Sequence, residues 1–126
     1  MRLKDENILE EFVQRIREGK YKQVNHLTNI LYWFAKFKYR SPNNDYLGVA
    51  IQSILAEPIL TPYIVARNMW NLYALDYYDK NAMERFSQVL LQSDAEKLHD
   101  LDISNAVRSF AHFQHVDYDC LEVLLK

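Results

Sequence analysis

Apolar residues recur every three to four positions along most of the chain, which is the spacing of amphipathic α-helices. Near the N-terminus, for example, Ile8, Leu9, Phe12, Val13 and Ile16 form one apolar stripe. The pattern predicts an all-α protein with seven helices. We expect them at about residues 5–18, 21–39, 44–56, 62–77, 80–91, 103–115 and 118–125.

Residues with known preferences for helix ends support these boundaries. Gly19 is a natural stop for the first helix, because glycine adopts the left-handed conformation common after a helix. Thr61 and Pro62 suit the N-cap and first position of the fourth helix. Asp79, Asp102 and Asp117 are predicted to cap the fifth, sixth and seventh helices.

Three predicted helices share a short sequence frame, in which an Asn is followed six residues later by an Ala, with an aromatic residue just before that Ala. The copies are Asn29–Ala35, Asn68–Ala74 and Asn105–Ala111, and their Asn residues lie 39 and 37 residues apart. A period of this size is typical of helical-repeat arrays.

We therefore interpret residues 1–126 as one domain, a right-handed α-solenoid of about three helix-turn-helix repeats. Each repeat pairs a frame-bearing A helix with a plainer B helix. The repeats are expected at about 21–57, 61–92 and 102–126, and residues 1–19 as the second helix of a preceding partial repeat. On this view the chain is part of a longer array. A compact bundle of seven helices is the alternative.

The second copy of the frame predicts which positions of an A helix are buried. Met69, Trp70, Tyr73 and Ala74 should share one side of the helix and lie in the core. The frame Asn should bond a backbone group of a neighbouring segment, as buried polar groups must. Direct contact with a ligand is the other interpretation of the three Asn residues.

The positions just before and three after each frame Asn vary between copies and are expected to lean towards solvent. They are Thr28 and Tyr32, Arg67 and Asn71, and Ser104 and Arg108. A constant frame with a variable polar pair is typical of arrays that recognise single-stranded nucleic acid one base per repeat. The alternative is that these six residues are ordinary solvated positions whose variation has no functional meaning.

Charge gives one further indication. The chain has a formal charge of −2, which argues against a nucleic-acid binder that is basic as a whole. Residues 20–40, however, contain five basic residues and no acidic one. Along this segment Lys22, Asn29, Trp33, Lys36 and Arg40 are predicted to share one helical stripe, suited to phosphate contact and base stacking. A solvated face that happens to be basic is the alternative.

No residue pattern predicts an enzyme, a cofactor or a metal site. The one cysteine excludes an internal disulfide. His112, His115 and Cys120 fall short of the four ligands of a closed zinc site. The sequence contains neither a glycine-rich phosphate loop nor an apolar run of the roughly 20 residues that span a bilayer. No signal-peptide core is visible near the N-terminus.

The second frame copy, Asn68–Leu75 with the continuation Tyr77–Asp79, resembles the core of octotricopeptide and heptatricopeptide repeats. It is also similar to the helical region of FAST-kinase-like proteins that carry a RAP domain. Asn105–Phe113 matches similarly, and the copy at Asn29 less closely. The resemblance extends over about residues 21–126. Asp76 departs from it, because the other copies have Phe37 and Phe113 eight residues after their Asn.

The resemblance implies a mitochondrial protein, or secondarily a chloroplast one, that acts on organellar RNA or forms part of a mitochondrial ribosome among neighbouring proteins. The predicted RNA-binding residues are Lys22, Asn29, Tyr32, Trp33, Lys36, Arg40, Arg67, Asn71 and Arg108. The alternative is a protein–protein scaffold without RNA contact, which exposure of apolar residues such as Leu72 and Leu75 would favour.

Overall fold

The computed structural model describes residues 2–42, 45–93, 98–115 and 118–125. These residues form seven packed α-helices, and no strand occurs among them. The helices are α1 (Arg2–Arg17), α2 (Val24–Phe37), α3 (Asp45–Leu55), α4 (Pro62–Leu75), α5 (Lys80–Leu91), α6 (Asp100–Phe113) and α7 (Tyr118–Leu125). The all-α prediction is confirmed, and the bounds of α5 and α7 agree with those expected.

Two of the predicted N-caps are confirmed and one is wrong. The Thr61 side chain accepts a hydrogen bond from the Ile64 amide at 3.3 Å, and Asp79 accepts one from the Ala82 amide at 2.9 Å. Asp102 is not a cap, because α6 begins two residues earlier and buries this side chain. The predicted cap Asp117 lies outside the described residues.

The A helices α2, α4 and α6 end in the same way. Lys38, Asp76 and Gln114 follow them with φ values of 53°, 54° and 53°, in the left-handed region. Each residue donates its backbone N–H to a carbonyl three residues back, and the next residue donates to one five residues back. This is the Schellman motif. The three motifs follow one another at intervals of 38 residues in both steps.

The helix ends show that the sequence frame is misaligned by one residue in its second copy. A 38-residue step carries Asn29 to Arg67 and then to Asn105, so Asn68 is not their structural equivalent. Burial agrees, because Asn68 is 0% exposed whereas Asn29 is exposed. The apparent departure at Asp76 also disappears, since this residue corresponds to the helix-ending residues Lys38 and Gln114.

The helices pack in two rows. α4 contacts α2 on one side and α6 on the other, so the A helices form one row. In the second row α1 contacts α3, α3 contacts α5, and α5 contacts α7. Contacts of α2 with α3, α4 with α5 and α6 with α7 join the rows.

The core lies between the rows and includes Leu31, Phe34, Leu72 and Phe86, which are all at most 1% exposed. Burial also raises the pKa of Tyr46 well above its ordinary range, because a phenolate would lose its hydration there.

Some expectations about burial are wrong. Ile8 of the predicted α1 stripe is exposed, and so is the apolar residue Phe37 at the end of α2, at 64%. Leu72 and Leu75, named as possible exposed apolar residues, are buried. Phe37 is exposed because it lies on a side of α2 that α4 does not cover.

A buried polar network joins α2 to α4. The Thr28 hydroxyl donates to the Val24 carbonyl, and the Asn68 amide donates to the Thr28 hydroxyl at 2.9 Å and to the Ile64 carbonyl at 3.0 Å. Asn71 donates to the Thr28 carbonyl at 3.2 Å and to the Asn68 side-chain oxygen at 3.4 Å. Such a network favours one alignment of the two helices, because any shift would leave buried amides without partners.

Replacing Asn68 should therefore destabilise the fold. We expect Asn68→Ala to lower the free energy of unfolding by about 1–3 kcal/mol, since it removes one buried hydrogen-bond partner from the Thr28 hydroxyl and one from the Asn71 amide. Asn29→Ala removes the same side chain from an exposed position of the preceding A helix and should change the value by less than about 0.5 kcal/mol. Urea unfolding of both variants measures the difference. Equal effects would contradict a structural role for the network.

The left-handed helix ends give a second prediction. Lys38→Gly should stabilise the protein by about 0.5–1 kcal/mol, because glycine adopts positive φ without the penalty that a Cβ atom brings. Gly19, at φ 70°, has open space where a Cβ would lie. Gly19→Ala should therefore cost about 1–2 kcal/mol through backbone strain alone. Thermal unfolding of the two variants tests the expected gain of stability in Lys38→Gly and the expected loss in Gly19→Ala. A loss of stability in Lys38→Gly would contradict the left-handed conformation assigned to Lys38.

Candidate functional site

The A helices present matching positions on the side away from the core. In the 38-residue alignment these positions are exposed or partly exposed in all three helices. They are Asn29, Tyr32 and Lys36 on α2, Arg67, Trp70 and Ala74 on α4, and Asn105, Arg108 and His112 on α6. Residues three and four apart lie on one face of a helix, so each set forms a short column, and the row places the columns side by side.

Arg67 lies at the centre of this surface. Its guanidinium carbon is 4.2 Å from the ring centroid of Tyr32 and 5.4 Å from that of Tyr63. One of its nitrogens also donates to the Tyr63 hydroxyl at 2.8 Å. The two rings hold the guanidinium by cation–π contact, and they reduce the number of side-chain conformations that a ligand would have to select.

Tyr32 connects α2 with α4. Its ring centroid is 5.5 Å from that of Trp70, with an angle of 42° between the ring planes. The Lys36 ammonium lies 5.8 Å from the same Tyr32 centroid. One tyrosine therefore contacts two cations and two further aromatic rings, those of Trp70 and Trp33.

The pattern continues from α4 to α6. The Arg108 guanidinium carbon is 5.9 Å from the Tyr73 centroid, and the His112 ring lies edge-on to Tyr73 at 5.0 Å. His112 Nε2 is 2.8 Å from an oxygen of Asp76, which connects α6 to the residue that ends α4.

We name this surface the aromatic–cation strip. It comprises Tyr32, Lys36, Tyr63, Arg67, Trp70, Tyr73 and Arg108. In the part of the chain that the structure describes, none of its three cations is paired with a carboxylate. Alternating rings and unpaired cations combine two properties of single-strand binding surfaces, namely faces on which bases can stack and charges that can contact phosphates.

A groove adjoins the strip between the N-terminal ends of α2 and α4. Its volume is about 500 Å³. Asn25, Asn29 and Thr61 contribute polar groups to its lining, and Ile59 and Tyr63 contribute apolar surface. A flat ring with polar edges fits this combination, because the amides can both donate and accept hydrogen bonds.

The structure brings four of the nine predicted site residues into the strip: Tyr32, Lys36, Arg67 and Arg108. Asn29 and Trp33 are exposed beside it. The predicted stripe that continued from Lys22 to Arg40 is wrong, because both residues lie beyond the ends of α2. Only Asn29, Trp33 and Lys36 of that stripe share a face of the helix.

Asn71 does not belong to the surface. It was expected to lean towards solvent but is 0% exposed, and its amide bonds to α2. Thr28, expected on the same face, is buried in the same network. Both predictions are wrong for the same reason. The helices α2 and α4 pack against each other and bury the sides on which Thr28 and Asn71 lie.

Three residues of the strip were not predicted as site residues. Trp70 and Tyr73 were assigned to the core, although both are partly exposed, and Tyr63 was not considered. A 38-residue step from Tyr32 leads to Trp70 and then to Arg108. Aligning the copies on the polar residue after each A helix would therefore have placed three of the strip's members, Tyr32, Trp70 and Arg108, at equivalent positions.

The potential metal ligands near the C-terminus lie in separate surroundings. His112 contacts Asp76, His115 Nδ1 is 2.9 Å from the Tyr78 hydroxyl, and Cys120 is buried. Over the described ranges, no three His, Cys, Asp or Glu side chains are grouped as for a metal ion. Over the same ranges, no helix has the length and apolar character needed to cross a membrane.

Comparisons with models of protein families, with curated proteins and with solved structures find no match.

Proposed function

We propose that this chain is a helical-repeat module that binds single-stranded RNA along the aromatic–cation strip. The observation that carries the proposal is the contact of Arg67 with the rings of both Tyr32 and Tyr63, within a surface that continues over all three A helices. Bases stack on exposed aromatic rings whatever their sequence, and arginine and lysine contact the phosphates between them.

The proposed architecture is a right-handed α-solenoid. Two features support it over a bundle of seven helices. The Schellman motifs after α2, α4 and α6 recur at intervals of 38 residues, and each A helix contacts its neighbours within one row. In a solenoid each repeat contacts only its neighbours along the chain, and this distinguishes it from a bundle.

The resemblance to octotricopeptide and heptatricopeptide repeats supports placing this module in a mitochondrion, with a chloroplast as the second choice. Within the organelle we propose a role in RNA metabolism or as a component of the mitochondrial ribosome. The net charge of −2 favours contact with RNA over a limited surface, alongside neighbouring proteins.

A protein–protein scaffold is the second candidate function. Large apolar side chains exposed outside the strip favour it, among them Trp33 at 55%, Phe37 at 64% and Ile59 at 79%. Contiguous exposed apolar surface is more common at interaction sites than elsewhere on a soluble protein. These residues border the strip, since the Trp33 ring lies 5.6 Å from that of Tyr32 and Ile59 lines the same groove as Tyr63.

RNA binding across a salt series tests the proposal. The probe is a single-stranded oligonucleotide of mixed sequence, with affinity followed by fluorescence anisotropy. If Lys36, Arg67 and Arg108 each neutralise a phosphate, the logarithm of the affinity should fall with the logarithm of salt concentration with a slope of about −2. Arg67→Gln should weaken binding by about tenfold and reduce the slope by about 0.7.

Lys80→Gln is the matched control. Lys80 is an exposed cation on α5, in the row of B helices, so its replacement should leave both affinity and slope almost unchanged. An equal effect of the two substitutions would mean that binding is not localised to the strip. A folded chain that fails to bind at low salt would reject direct RNA binding and favour the scaffold.

A further inference from the structure

The groove between the N-terminal ends of α2 and α4 differs from the strip beside it in charge. In the described part of the chain, no charged side chain lines this groove. Side chains that bind phosphate are mostly arginine and lysine, so the groove is not suited to a phosphate. Its volume of about 500 Å³ lies within the range of roughly 300–1,000 Å³ that is usual for small-molecule sites.

The polar groups of the groove are available to a ligand. Asn25 and Asn29 are four residues apart on α2 and therefore lie on one face of the helix. Both are exposed, and among the described residues neither side-chain amide forms a hydrogen bond. The Thr61 hydroxyl accepts a hydrogen bond from the Ile64 amide, so its own proton can still be donated. The groove therefore suits a neutral ligand that has hydrogen-bonding edges.

The apolar groups of the groove suit a flat ring. Ile59 is 79% exposed and Tyr63 is 49% exposed, and both line the groove. A ring bound there would remove apolar surface of both side chains from water. Tyr63 also belongs to the strip, where Arg67 lies 5.4 Å from its ring centroid. A strand that follows the strip can therefore place one base in the groove without leaving the strip.

The amide pair does not recur on the next A helix. A 38-residue step carries Asn25 to Tyr63 and Asn29 to Arg67. The position that holds two neutral amides on α2 thus holds an aromatic ring and a cation on α4. A site that depends on the two amides therefore occurs once along the strip.

Adenine has the edges that best match two neighbouring amides. Its amino group carries two N–H donors and lies between two ring acceptors, N1 on one side and N7 on the other. One asparagine amide can donate to such an acceptor and accept from the adjacent N–H. Adenine offers this donor–acceptor pair on both sides of its amino group. Cytosine, uracil and guanine offer one on only one side of the equivalent exocyclic group.

We propose that the groove binds one adenine base, with the amides of Asn25 and Asn29 on either side of its amino group and its ring against Ile59 and Tyr63. The β-carbons of residues four apart on a helix are roughly 5–6 Å apart, so both amides can reach the same ring. The adenine comes from an RNA strand bound along the strip, and this part of the inference rests on the proposed function. A free adenosine nucleotide carries the same ring, and the experiment separates the two sources.

The first measurement compares two short single-stranded RNAs by fluorescence anisotropy. One is an oligouridine, and the other is the same strand with a single adenosine in its middle. The adenosine should raise the affinity about tenfold, whereas cytidine or guanosine at the same place should change it less than about twofold. Asn25→Ala and Asn29→Ala should each remove the gain and leave the affinity for oligouridine almost unchanged.

Asn105→Ala is the matched control. Asn105 is the residue of α6 equivalent to Asn29, and it does not line the groove. Its replacement removes the same side chain from the same surface and should preserve the gain from adenosine. A gain that is lost equally in Asn105→Ala and Asn29→Ala would overturn the assignment to the groove.

The second measurement uses adenosine alone, without a strand. The side-chain amide resonances of Asn25 and Asn29 are followed by NMR during the titration. Adenosine should shift both resonances and uridine should shift neither. If adenosine shifts them but a single adenosine in the strand gives no gain in affinity, the strand is rejected as the source and the site belongs to a free nucleotide.

Other results would overturn the adenine site itself. One is a larger gain from another base than from adenosine. Another is a gain that survives in both Asn25→Ala and Asn29→Ala. A third is the absence of both the gain and the NMR shifts. If the chain binds oligouridine in that third case, the proposed function stands without the groove. If the chain binds neither strand but adenosine shifts the amides, the proposed function fails and the adenine site stands.

Discussion

Side chains buried between α2 and α4 determine how the A helices lie against one another. Asn68 and Asn71 each bond to Thr28, one to its hydroxyl and the other to its carbonyl. Because buried amides must keep their partners, α4 cannot slide or rotate on α2 without a large loss of free energy. Arg67 precedes Asn68 in the chain, so the same contact brings its guanidinium over Tyr32. The interior polar network and the exposed strip are two sides of one helix contact.

A second constraint repeats this arrangement along the row. Each A helix ends at a left-handed residue, and the chain then returns towards the other row. With intervals of 38 residues between these ends, equivalent positions on successive helices come to lie side by side. A surface that spans three helices therefore arises from local backbone geometry, and its chemical content depends on which residues occupy the solvent-facing positions.

The sequence predicted the helices well, because their apolar period, the caps Thr61 and Asp79 and the stop at Gly19 are local signals. It did not predict the alignment of the repeats. An asparagine in a helix has the same appearance in sequence whether buried, like Asn68, or exposed, like Asn29. Aligning the copies on asparagine therefore shifted the second by one residue, which on a helix is a rotation of about 100°. Trp70 was consequently assigned to the core and Asn71 to the surface.

The most direct test of the account is to map the RNA contact residue by residue. Backbone amide chemical shifts of the isotope-labelled chain would be followed by NMR during titration with a single-stranded oligonucleotide. RNA bound along the strip should change the shifts mainly around Tyr32, Arg67, Trp70 and Arg108 and leave α3 and α5 almost unaffected. Changes centred on the row of B helices, or the absence of any change at low salt, would contradict a role for the aromatic–cation strip in RNA binding.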